Sequence, residues 1–126
     1  MKFLAVALAG ALGALARVGL ASWTQTLIRG AFPSGTLAVN VVGCFAMGLV
    51  AAAFEDRIPA SSELRLVLFG GFLGAFTTFS AFSYESLELW QAGWHVRAAS
   101  YILASLLLSL LAVSLGWTLG GRIGAN

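Results

Sequence analysis

Charged residues along this chain are confined to a few short stretches, and between them lie long apolar windows. Gly35 to Phe54, Leu66 to Tyr84 and Ala98 to Leu119 contain no Asp, Glu, Lys or Arg, and Phe3 to Ile28 is interrupted only by Arg17. Each window is close to the ~20 residues that a helix needs to cross hydrocarbon. Breakers and charges fall between them: "RGAFPS" at Arg29 to Ser34, "EDRIPASSELR" at Glu55 to Arg65, and "QAGWHVR" at Gln91 to Arg97. The pattern predicts an all-α integral membrane domain covering residues 1–126, with four helices at about 3–28, 35–54, 64–90 and 97–120. Short loops and both termini on one side complete that layout.

Composition agrees: 60% of the residues are hydrophobic and 10% charged, against a soluble average of about 25% charged. The first window has a rival reading, because "MKFLAVALAGALGALA" has the basic start, apolar stretch and small-residue ending of a signal peptide, with cleavage after Ala16. Val18 to Ile28 continues largely apolar, which favours a span. Cys44 is the single cysteine, lies in the second span and reads as packing. The net charge of +2 comes from seven scattered basic residues, so no phosphate-binding patch for nucleic acid is present. Trp23, Trp90, Trp94 and Trp117 lie near span ends, where indole prefers the headgroup region.

The basic residues are also nearly balanced across the membrane. Lys2, Arg57, Arg65 and Arg122 fall on the terminal side, and Arg17, Arg29 and Arg97 on the other. A chain without a positive-inside bias can insert both ways, and oppositely inserted copies can pair about an axis in the membrane plane. Small residues spaced four apart (Ala9 and Gly13, Gly70 and Gly74, Gly116 and Gly120) mark close helix approaches.

Polar groups in hydrocarbon need a partner or a task. Thr36 and Asn40 share a face of the second span, with Gly43 near it. Tyr101, Ser105 and Ser109 repeat at i, i+4, i+8 on the fourth span, and Thr77, Thr78, Ser80, Ser83 and then Glu85 crowd the third. Serine and threonine can bond back to their own helix, but a buried amide cannot satisfy all its bonds locally. These residues read as the wall of a polar track. The chain has no HxxxH, no cysteine pair and no carboxylate cluster for a metal, and its one histidine, His95, sits in a loop, so catalysis is not expected. Hydroxyls, an amide, a phenol, Arg17 and the positive ring edges of Phe79 and Phe82 instead favour a small anion.

"GTLAVNVVG" (Gly35 to Gly43) and "GFLGAFTTFSAFSYE" (Gly71 to Glu85), behind a glycine-rich first helix leading to Arg17, resemble the fluoride channel family known as Fluc or CrcB. The likeness covers essentially the whole chain. It implies passive fluoride efflux, which lowers cytoplasmic fluoride, through an antiparallel, dual-topology homodimer with two pores in the cytoplasmic membrane of a microbe. It also implies a break in the third helix, and a structural sodium ion at the dimer centre held by the main-chain carbonyls of Gly74 and Thr77. On the family's pattern Phe79 and Phe82 turn ring edges to the anion, and Asn40 donates its amide to it. Thr36, Ser80, Ser83, Tyr101, Ser105 and Ser109 line the track, with Glu85 at its far end, or else capping the span, and Arg17 near the vestibule. Two rivals remain: a small proton-coupled multidrug transporter, which relies on a carboxylate in its first helix that Phe3 to Ile28 lacks, and an assembly subunit carrying no ion flux.

Overall fold

The structure, a computed structural model, describes residues 1–54, 59 and 62–124. Arg57, one of the basic residues counted for orientation, lies outside the described residues. Among the described residues, four helices are long and apolar enough to cross a membrane: Lys2–Leu27, Ser34–Ala53, Glu63–Gln91 and His95–Gly124. The first helix runs without interruption past Ala16. Gly93 makes the turn before the last helix at φ 80, a conformation that costs glycine nothing, while the Trp94 amide reaches back to the Leu89 carbonyl at 3.0 Å.

The third span is irregular where the sequence is richest in glycine and threonine. It begins with Ser62 as N-cap, its hydroxyl accepting from the Arg65 amide at 3.1 Å, and passes through a π-helical stretch, Leu66–Leu73, to the turn Gly74–Phe76. Thr77 (φ −80, ψ 156) and Thr78 (φ −148, ψ 115) are then extended, and the helix resumes as Phe79–Gln91. This is the expected break.

Glycines set the packing. A Cβ on Gly48, Gly116 or Gly120 would run into the Val113, Phe45 or Leu49 carbonyl, so the second and fourth helices touch backbone to backbone. Gly13 meets the Phe72 carbonyl in the same way and seats the first helix on the first half of the third span. Gly70 and Gly74, by contrast, are exposed, and that approach is made by Gly71 against Val6 and Ala9. Leu4, Leu8, Leu12 and Leu15 are exposed on the first helix, and Leu103, Leu107 and Leu111 on the last, as suits helices bathed in lipid. All four tryptophans are exposed too.

Candidate ion pathway

Asn40 is where the second helix meets the break. Its Nδ2 donates to the Thr78 carbonyl at 3.0 Å, and its Oδ1 accepts from the Thr78 amide at 2.8 Å. The backbone N–H can only donate, so the amide orientation is set by its partners. One Nδ2 hydrogen is left over. In a continuous helix the Thr78 amide would serve the Gly74 carbonyl; here Asn40 has taken it. Thr78 in turn caps the resumed helix, its hydroxyl accepting from the Ala81 amide at 3.2 Å. The Thr77 amide and hydroxyl both donate to the Leu73 carbonyl, at 3.0 and 3.1 Å. Gly43, one turn beyond Asn40, leaves room for the Thr77 methyl, which a Cβ there would strike.

Between the second helix, the break and the last helix lies a cavity of about 340 Å³, whose wall includes Asn40, Cys44, Thr77, Thr78, Phe79, Phe82, Ser105 and Ser109. The Phe79 and Phe82 ring centres are 5.4 Å apart. Phe82 is 8% exposed, whereas Phe79 is 75% exposed beside the break. Ser105 is buried, and its hydroxyl approaches the Tyr101 phenol but has no hydrogen-bond partner. A buried hydroxyl left unpaired beside a cavity points to a ligand.

Glu85 stands beyond Phe82 in the direction of the loops. Its carboxylate accepts from the Thr36 hydroxyl at 2.7 Å and from the Tyr101 phenol at 2.6 Å, tying the second, third and fourth spans together. The sequence signal for this was the stripe Phe82, Glu85, Leu89 at i, i+3, i+7, whose two apolar members are buried. Glu85 borders a cleft of about 280 Å³ with Ser22, Gln25 and Thr36, and another of about 420 Å³ with Glu88 and Trp94.

Arg17 faces a separate cleft of about 230 Å³ with Ser22, Thr36 and Thr78, and has no ion-pair partner among the described residues. Ser80 and Ser83 are exposed and line no part of the 340 Å³ cavity. The Ser80 hydroxyl lies 3.2 Å from that of Thr78, and Ser83 donates back to the Phe79 carbonyl at 2.9 Å. Thus Asn40, Phe79, Phe82, Ser105 and Ser109 come together, Thr36 and Tyr101 gather at Glu85, and Arg17, Ser80 and Ser83 lie apart. Among the described residues no group of three His, Cys, Asp or Glu could hold a metal. Sequence reasoning passed over Gln25, an isolated polar residue near a span end that makes four hydrogen bonds.

The model of the family described as "CrcB-like protein, Camphor Resistance (CrcB)" matches residues 4–117. A protein of Rhizobium leguminosarum bv. trifolii named fluoride-specific ion channel FluC is 51% identical over 116 residues, 92% of this chain and 93% of that one. Proteins of the same name from Nitratidesulfovibrio vulgaris (50% identical; 91% and 93% covered) and Acidobacterium capsulatum (46% identical; 99% and 100% covered) are similar along nearly their whole length.

Proposed function

The chain belongs to the CrcB-like family, and from that premise we propose that it is a fluoride-specific ion channel, with no enzymatic step, that lets fluoride leave the cell passively. Fluoride entering as the neutral acid dissociates inside, and the channel returns the anion across the cytoplasmic membrane of a microbe. The observation that carries this reading is the unpaired Ser105 hydroxyl in the 340 Å³ cavity. It shares that cavity's wall with Asn40, Ser109, Phe79 and Phe82, and the wall contains no carboxylate. A small dehydrated anion matches that set of donors. Thr36 and Tyr101 extend the track to Glu85, the exposed Ser80 and Ser83 stand outside the cavity beyond the break, and Arg17, with no ion-pair partner among the described residues, draws anions from its cleft.

The working unit in this reading is an antiparallel homodimer inserted in both orientations. The near-balance of basic residues supports it, as do the exposed Gly70 and Gly74 and the exposed Phe79 ring beside the break. Two copies meeting there would surround a structural sodium ion with the carbonyls of Gly74 and Thr77. The Gly74 carbonyl has lost its helical donor to Asn40, and in a membrane such a group needs a replacement partner.

Purified chain in liposomes loaded with fluoride tests the reading. Efflux should appear with no other protein present and with equal sodium on both sides. Absence of efflux favours an assembly subunit, and strict dependence on a sodium gradient favours a coupled transporter. Reporters fused to the C-terminus should give signal on both sides of the membrane, and a one-sided signal would remove the antiparallel dimer.

A further inference from the structure

Gln25 sits in the last turn of the first helix, and its amide uses every bond it can make. Nε2 donates to the carbonyls of Gly30 and Phe32 at 3.1 and 3.2 Å. Oε1 accepts from the Ser34 hydroxyl at 3.0 Å and the Gly35 amide at 3.1 Å. Both hydrogens and both lone pairs are occupied. The groups served are the Gly30 carbonyl and a first-turn amide of the second helix, together with the Phe32 carbonyl, which also accepts from the Ser34 amide at 2.8 Å. Pro33, in the N-cap position, brings no side chain that could cap. Gln25 supplies the cap from another helix.

The turn that Gln25 fastens adjoins both donors to Glu85, leading into the helix of Thr36 and touching Tyr101 through Phe32. On one arm, Gly35 is pressed against the Ala21 carbonyl so closely that a Cβ would collide, and the next residue is Thr36, which donates to Glu85 at 2.7 Å. On the other arm, Phe32 sets its ring edge-on to Tyr101, centres 5.5 Å apart at 83°, and Tyr101 donates to Glu85 at 2.6 Å. Gln25 also shares the 280 Å³ cleft with Thr36 and Glu85.

We infer that Gln25 is a positioning residue of the channel mouth: it holds the 28–33 turn so that Thr36 and Tyr101 converge on Glu85, and flux past that carboxylate depends on the convergence. The inference rests on the fluoride reading, because its readout is fluoride efflux. Gln25→Leu keeps the bulk of the side chain and removes all four bonds. In liposomes it should lower efflux about tenfold, the net worth of one hydrogen bond at the mouth, while the protein still purifies as a single folded species.

A double-mutant cycle separates positioning from plain stability. With Thr36→Val or Tyr101→Phe already present, adding Gln25→Leu should cost less than about threefold, because coupled positions are non-additive. Ser34→Ala, which withdraws one of the four bonds from outside, should lower efflux about twofold and couple in the same way; it also carries the test if Gln25→Leu does not insert. Wild-type efflux with an equally active Gln25→Leu overturns the inference alone. So do losses that multiply unchanged in the cycle. A wild-type chain that passes no fluoride overturns the channel reading and this inference with it.

Discussion

Around Glu85 the Thr36 and Tyr101 hydroxyls both have a partner, whereas the buried Ser105 hydroxyl has none among the described residues. Both regions are built from the same fourth helix, with the buried Tyr101 and Ser105 one turn apart. At Glu85 the carboxylate takes two short bonds and becomes a knot between three spans. At Ser105 the helices leave a cavity instead, and the facing Asn40 spends its amide on the broken backbone while keeping one hydrogen free. Pairing within the chain makes structure; a donor left over makes a site. That difference separates residues whose loss weakens the fold together with transport from those whose loss weakens transport alone.

The strongest attempt to break this comparison is Asn40→Leu, which acts on both sides of it. The substitution strands the Thr78 amide and carbonyl in apolar surroundings, a cost of about 1–3 kcal/mol for each group. Efflux should fall by at least roughly a hundredfold and the thermal midpoint should drop. A variant with normal efflux would show that the break holds itself and that Asn40 is not in the path.

Tyr101→Phe sharpens the knot side. It removes one charge-assisted bond to Glu85, worth about 1.5–3 kcal/mol, and leaves the ring in place against Phe82 and Phe32. Denaturation in detergent should reveal the loss. If stability is unchanged, the phenol is not bound to the carboxylate in the membrane and belongs with the unpaired donors.

Phe79→Ile and Phe82→Ile address the cavity side with a smaller expected effect. The aliphatic side chain keeps much of the bulk and loses the positive edge, worth about 0.5–1.5 kcal/mol in an aromatic contact, so efflux should fall severalfold at either position. Phe82 is buried, and its change should also lower stability; exposed Phe79 should not. Unchanged efflux for both would assign the rings to packing.

Much of this organisation was legible in the residues. Three uncharged windows and a fourth interrupted only by Arg17 mark the four spans because hydrocarbon disfavours charge, and the threonine pair after Gly74 marks the break because a capping hydroxyl lets a helix restart. Helical spacing alone put Tyr101, Ser105 and Ser109 on one face of the fourth span and Thr36 and Asn40 on one face of the second. Partner choice was not: spacing places Thr36, Tyr101 and Glu85 on faces, but which oxygen meets which hydroxyl depends on how the helices cross. Gln25 was invisible for the same reason, since its four partners lie in a turn whose path no periodicity describes. Gly70 and Gly74 have the spacing of a packing motif, yet within one chain the contact falls to Gly71, because the π-helical stretch shifts the facing register.

The most direct measurement is Ser105→Ala, followed in stability and in fluoride efflux together. Removing a hydroxyl that has no partner among the described residues should leave the folded protein as stable as before or raise it by up to ~1 kcal/mol, because an unsatisfied buried group is lost. Efflux into fluoride-free medium should fall about threefold to tenfold, the worth of one hydrogen bond to the passing anion. A variant that loses stability and carries fluoride at the wild-type rate would contradict the account, for the hydroxyl would then be bound within the protein and the anion would travel elsewhere.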